Sequence, residues 1–512
     1  MMERRPQPQA YRSVGLAGHR SFRSDSGSSA GPAGLSTPPF LLTPQRNIQL
    51  YAFVLSALAS ASIGSWAFLN NKPLSTEENL VGLSIIVISL YYSFKWYISR
   101  KKFLPFVEIY SLVVGVYYGL PMIFGTNDAF VSTFVTQENR VKTGLVVLLS
   151  LIITSMFYRL TEKPTRRDTY RTIKVIPHRT AVGIFQTFLA LSTIYNLLFV
   201  LGVVQPLIGN FLATMNILST NVLGTISSYI LFRLIGEGKL SKNQVYGTII
   251  LIFFSTIVIS SGLMLINIIL WILPPILGYT LGHGRIPLKV IVLLVGMIAV
   301  LSIGKGTARS IYWGTPITSV VDIFQRFTDW TNISFVAFQA ESTTSTSMLT
   351  DRLNFSGVLG MVIQRTPEEV PFIGGTTYAM LISMIVPRFI WPEKPDGHAA
   401  TIFLGIHYGI HTLNEVIATS IGIGLLGESY ANFGMFGIVV FSIFIGWVLG
   451  YAHRVDITAP PLSMRSFVLI GLLNSVTKIE FALVEIIIPL IQIGVLLLLI
   501  YGWLFRHQKS NR

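Results

Sequence analysis

Residues 287–304 read Pro287-Leu-Lys-Val-Ile-Val-Leu-Leu-Val-Gly-Met-Ile-Ala-Val-Leu-Ser-Ile-Gly304, with Lys289, at its start, the only charge. A run of this length and composition matches the ~30 Å hydrocarbon core of a bilayer when wound as a helix. Similar runs recur along the chain, near 47–69, 79–98, 104–124, 141–160, 180–203, 211–235, 244–262, 264–282, 433–452, 464–481 and 483–505. The reading that follows is an all-α integral membrane protein of about twelve transmembrane helices.

Composition agrees. Of 512 residues 51% are hydrophobic and 12% charged, with a mean hydropathy of +0.62. Soluble domains carry about a quarter charged residues, so this chain cannot cover a globule of its size with water-compatible surface. There is no cysteine, which excludes disulfides, thiolate metal sites and a cysteine nucleophile.

The net charge of +15 raises the question of nucleic acid. Its distribution answers it. With the N-terminus in the cytoplasm, the inside segments are 1–46, 95–102, 159–179, 233–242, 281–289, 453–465 and 506–512. They hold 27 Lys/Arg against 6 Asp/Glu. This is the positive-inside bias of a multi-pass protein facing anionic lipid, with both termini cytoplasmic and no nucleic-acid partner.

Four regions follow. Residues 1–46 are a Ser-, Pro-, Gly- and Arg-rich basic tail expected to be disordered. Residues 47–304 form an N-terminal bundle of about nine spans. Residues 305–432 form one large structured loop on the non-cytoplasmic side, and 433–512 hold the last spans and a basic tail. The loop segment 305–412 carries Lys305, Arg309, Arg326, Arg352, Arg365, Arg388 and Lys394 beside eight acids. A loop this long is uncommon unless functional or disordered. Its apolar stretch Tyr378 to Ile385 is too short to span and reads as a helix against the outer surface.

Several motifs carry nothing. Gly422-Ile-Gly424-Leu-Leu-Gly427 matches GxGxxG without a βαβ unit, and Gly304-Lys305-Gly306-Thr307 lacks the first glycine of a P-loop. Gly446 and Gly450 form a helix-packing GxxxG. His407 and His411 bracket a glycine with no third ligand, so no metal and no cofactor is expected.

Two segments are more informative. In Pro387-Arg388-Phe389-Ile390-Trp391-Pro392-Glu393-Lys394-Pro395, three prolines stiffen the backbone, and Arg388 and Lys394 project beside aromatic residues suited to the headgroup level. The plainer alternative is an interfacial belt with snorkelling cations. In Gly427-Glu428-Ser429-Tyr430-Ala431-Asn432-Phe433-Gly434, Glu428 and Asn432 share one helical face. A carboxylate at the membrane boundary is costly unless paired or wetted.

Together these segments resemble the Wzy-type O-antigen (oligosaccharide repeat-unit) polymerases, most strongly over about residues 305–450. The resemblance implies a glycosyltransferase of a bacterial inner membrane. It would join undecaprenyl-diphosphate-linked repeat units at the periplasmic face without a metal, with membrane lipids and a chain-length regulator protein as further partners. It implies cations on the diphosphate, for which Arg388 and Lys394 stand first, then Arg352, Arg326 and Arg309, because a guanidinium binds phosphate oxygens in bidentate fashion. Asn432 is a further substrate-binding candidate. For the base, His398 titrates near neutrality, Glu428 would be raised by partial burial, and Glu393 is the third choice. An O-antigen ligase-like enzyme would share this site. A lipid-linked-sugar flippase would instead place charge within the spans, where Glu108 is the main exception among the first nine.

Overall fold

The computed structural model describes residues 44–70, 76–99, 103–125, 135–163, 175–204, 206, 211–340, 353–386, 391, 393–394, 397–412 and 421–507. They are helical with no strand among them. The helices are α1 (Pro44–Asn70), α2 (Thr76–Ser99), α3 (Phe106–Phe124), α4 (Gln137–Thr161), α5 (His178–Val200) and α6 (Thr214–Gly236). After them come α7 (Lys242–Ser260), α8 (Leu265–His283), α9 (Leu288–Tyr312) and α10 (Val320–Ala340). Three short helices follow, α11 (Phe355–Arg365), α12 (Thr376–Ile385) and α13 (Ala399–His407). The chain ends with α14 (Gly424–Thr458), α15 (Met464–Val476) and α16 (Leu483–His507).

Among the described residues eleven helices are long and apolar enough to cross a membrane: α1 to α9, α14 and α16. Their outward faces are what a lipid solvent selects. Leu293 is 72% exposed, and Val292, Leu498 and Leu499 are each near two-thirds exposed. Apolar surface on that scale marks contact with membrane rather than water.

The expected span 464–481 is helical only in its first part. Its helix α15 stops at Val476 after 13 residues, about 20 Å at 1.5 Å per residue, and residues 477–482 are turn. The peptide groups of that turn are used elsewhere in the fold, as described below. The loop boundaries shift as well. Helix α9 runs on to Tyr312, so Lys305 and Arg309 belong to its last turns, and α14 begins at Gly424, not at 433. The first described helix starts at Pro44, inside the segment expected to be a tail; residues 1–43 lie outside the described residues. The stretch from Tyr378 to Ile385 is helical, within α12.

Close helix crossings set the frame. On α8, a Cβ added to Gly278 would lie 2.2 Å from the carbonyl oxygen of Tyr229, and one on Gly282 would lie 2.2 Å from that of Arg233, both on α6. Only hydrogen fits there. The lower part of α14 is fastened to α4 in the same manner: Gly446 faces the Thr154 carbonyl, Gly450 faces Thr161, and the Ser150 and Ser442 hydroxyls share a 2.7 Å hydrogen bond. Gly304, from the P-loop-like tetrapeptide, is also a packing glycine. Ser334 of α10 fills the space its side chain would need, and Trp330 Nε1 donates to Leu301 O at 3.0 Å.

Candidate functional site

Helix α14 is bent. Phe433 (φ −142°) and Gly434 (φ 60°, ψ −142°) leave the helical region and separate a short arm, 424–432, from the long one. The conformation of Gly434 is closed to side-chain-bearing residues, which explains a glycine there.

The short arm is held by Asn432. Its Oδ1 accepts from Gly375 N–H (2.8 Å), and its Nδ2 donates to Thr377 Oγ1 (2.9 Å) and Glu428 O (2.8 Å). Ile373 N–H donates to Ala431 O at 3.1 Å, and Tyr378 OH donates to Ser429 Oγ at 3.2 Å. The segment before α12 is thereby laid against the bend. Burial, with the Glu428 charge adding, holds the Tyr378 phenol well above its ordinary range, so it acts as a neutral donor.

Glu428 is completely buried. Its Oε2 accepts the main-chain N–H of Leu483, the first residue of α16, at 2.6 Å. Its Oε1 makes no hydrogen bond of good geometry among the described residues, with the Thr377 hydroxyl interacting more loosely with the carboxyl group. A buried polar atom without a well-made bond costs about 1–3 kcal/mol, so it is a place to look for chemistry or a ligand.

The turn between α15 and α16 supplies the other wall. Ile479 O accepts from Leu425 N–H at 3.0 Å, and a Cβ on Gly422 would lie 2.2 Å from Glu480 O. This close approach gives Gly422, from the GxGxxG match, a packing role. Tyr117 OH of α3 donates to Glu480 Oε2 at 3.0 Å, and Lys305 and Lys478 interact electrostatically with the same carboxylate. Glu485, one turn into α16, accepts from Thr401 Oγ1 at 2.5 Å and pairs with His398 Nδ1 at 2.9 Å. The first turn of α16 therefore joins two of the sequence-predicted residues, Glu428 through Leu483 and His398 through Glu485. It gathers Glu428, Glu480, Glu485, Lys478 and His398 into one cluster.

The predicted cations fare differently. Arg352 and Arg388 lie outside the described residues. Arg326 is buried and donates to Thr315 O (2.6 Å), Thr315 Oγ1 (2.8 Å) and Pro316 O (3.3 Å), with its guanidinium over the Tyr312 ring. Arg309 donates to Leu263 O at 3.2 Å and lies over Trp313. Lys394 donates to the carbonyls of Met384 (2.9 Å) and Val386 (2.8 Å), just past α12. These three fasten turns and helix ends. Glu393 is exposed, and His398 is 62% exposed in its side chain.

His407 Nε2 lies 3.1 Å from Pro371 O, and His411 Nε2 accepts from Ile421 N–H at 3.0 Å. Among the described residues no group of three or more His, Cys, Asp or Glu side chains could hold a metal ion.

No curated protein and no solved structure matches the chain. A family model described as a domain of unknown function (DUF8712) matches residues 168–454. The matched region includes Glu428 and Asn432 and stops before Lys478, Glu480 and Glu485. Because that match covers more than half of the sequence, the chain belongs to the DUF8712 family.

Proposed function

We propose that the protein is a bacterial inner-membrane glycosyltransferase that polymerises undecaprenyl-diphosphate-linked repeat units at the non-cytoplasmic face, with both termini in the cytoplasm. The observation that carries the reading is the buried Glu428 carboxylate, fixed through one oxygen by Leu483 N–H and only loosely engaged, by Thr377, at the other. In this role Oε1 takes the proton of an acceptor hydroxyl. The hydroxyl oxygen bonds to the anomeric carbon of the donor sugar as the bond from that carbon to the diphosphate breaks, and the electron pair leaves on the diphosphate. A positioned base of this kind contributes roughly 10²–10⁴-fold. Of the sequence-predicted cations, Arg388 and Arg352 are assigned to the leaving diphosphate. Arg309, Arg326 and Lys394 already hold protein carbonyls and are given supporting roles.

The test is a membrane assay with a synthetic lipid-diphosphate repeat unit. Laddered products from the intact protein, lost in Glu428→Gln and Arg388→Ala at equal expression, support the reading; a full ladder from Glu428→Gln sinks it. Transfer to a different acceptor without a ladder identifies the ligase-like enzyme.

A second reading, a lipid-linked-sugar transporter, is favoured by ionisable groups buried within the spans: Glu78, which faces Arg140 at 3.5 Å, and Glu108. Translocation of the lipid across vesicles with no new glycosidic bond selects it.

A further inference from the structure

A cavity of ≈ 280 Å³ that shares no lining residue with the Glu428 cluster lies between the C-terminal end of α6, the start of α5 and the turn before α15. Its wall is mostly apolar, from Val175, Ile230, Leu234 and the Pro460–Leu462 turn, and Arg233, Glu237, Lys239 and His178 line the rest. Ile176 N–H donates to Leu462 O at 3.1 Å, which ties two of the connecting segments together beside it. Three of the segments that the charge bias assigns to the cytoplasmic side, 159–179, 233–242 and 453–465, meet here.

The polar groups are already arranged around one acid. Glu237 Oε2 lies 2.7 Å from Lys239 Nζ, and Glu237 Oε1 accepts from Arg233 Nε at 3.3 Å. Lys239 Nζ also lies 3.3 Å from His178 Nε2, and Arg233 Nη1 donates to Tyr229 OH at 3.0 Å. Asp456 interacts electrostatically with Arg233 from α14. Glu237 thus occupies the position between two cations that a phosphate oxygen would otherwise take; burial raises its carboxyl, but the facing Lys239 and Arg233 outweigh that and hold it below its ordinary range.

We propose that this cavity binds the phosphodiester headgroup of an anionic phospholipid from the cytoplasmic leaflet. Three features select that ligand. The cations and the histidine sit at one side of a lining that is otherwise apolar, the pattern an amphiphile requires. The volume takes a phosphate, its glycerol and the first methylenes, and is too small for an oligosaccharide. The site lies on the face where anionic lipid concentrates. On entry the phosphate oxygens take donors from Lys239 and Arg233, displacing Glu237 toward solvent, while the acyl stems lie along the Pro460–Leu462 wall.

The test uses the full chain in nanodiscs of phosphatidylcholine, with and without phosphatidylglycerol, read by native mass spectrometry for retained lipid and by thermal unfolding. The expected result is retained phosphatidylglycerol and a raised Tm. Lys239→Ala should weaken retention about fivefold, the share of one surface cation, while its Tm in phosphatidylcholine alone stays that of the wild type. Arg285→Ala, an exposed basic residue outside the cavity on the same assigned face, should retain the lipid as the wild type does. Equal loss in both variants, or none in Lys239→Ala, overturns the proposal, because binding would then be diffuse. Retention of free glycerol 3-phosphate as strong as that of the lipid also overturns it, by removing the acyl chain from recognition.

Discussion

The carboxylate of Glu428 accepts the main-chain N–H of Leu483 at 2.6 Å, joining the short arm of α14 to the first residue of α16 across 55 positions of sequence. This bond makes a buried acid structural at one oxygen; the proposed chemistry is assigned to the other.

Glu428→Gln and Glu428→Ala should therefore separate. Glutamine keeps a carbonyl oxygen for Leu483, so its thermal unfolding in detergent should stay close to that of the wild type while glycan ladders disappear. Alanine leaves the N–H unsatisfied, with a cost of about 1–3 kcal/mol. Equal unfolding temperatures for the two variants would mean the bond contributes nothing.

Asn432→Ala removes the acceptor for Gly375 and the donor to Thr377 and Glu428. The loss should be about 1–3 kcal/mol, expressed locally as faster proteolytic cleavage around 371–376. Cleavage at the wild-type rate would show that the bend is held by other contacts.

Gly278→Ala forces a methyl group onto the Tyr229 carbonyl. Overpacking of this kind costs about 1–3 kcal/mol, sometimes more, and should lower the unfolding temperature. Gly247→Ala on α7, where a Cβ meets nothing within 4 Å, is the matched control and should be neutral or slightly stabilising.

Asp322 near the start of α10 accepts from Thr318 N–H, Thr318 Oγ1 and Ser319 N–H, and these bonds hold its carboxyl down at about 2. A depressed carboxyl contributes stability above its unfolded pKa, near 3.9, and loses it as pH falls through the folded value. The unfolding-temperature difference between wild type and Asp322→Ala should thus be flat from neutrality to about pH 4 and shrink only below it. A difference that fades between pH 6 and 5 would contradict the assignment.

His398→Ala breaks a pair whose histidine side is mostly exposed. The Glu485 carboxylate is buried but keeps the Thr401 hydroxyl, so the loss should be about 1–3 kcal/mol. Ladder formation should persist, since the base is assigned to Glu428; its loss would move the base to His398.

Hydropathy made the spans legible, from α1 through α9, because twenty apolar residues carry their own signal. It does not show where the helix ends within 464–481: the chain turns at Thr477 and the carbonyl of Ile479 is taken by Leu425, a pairing no local pattern announces. The spacing of Glu428 and Asn432 placed them on one arm, and the side-chain amide of Asn432 does reach the Glu428 carbonyl. Glu485 hides inside the run 483–505, although an acid three residues into an apolar helix is a visible anomaly. Arg326 looked like a ligand because sequence shows a guanidinium but not the carbonyls of Thr315 and Pro316 that it finds.

The bend at Phe433–Gly434 has a mechanical consequence. Below it α14 is riveted to α4 by Ser442, Gly446 and Gly450; above it the arm bearing Glu428 hangs from Asn432 and Leu483. Any swing of that arm, such as the proposed lipid-borne substrate would require, must be absorbed at those two hinge peptides, leaving the riveted shaft still.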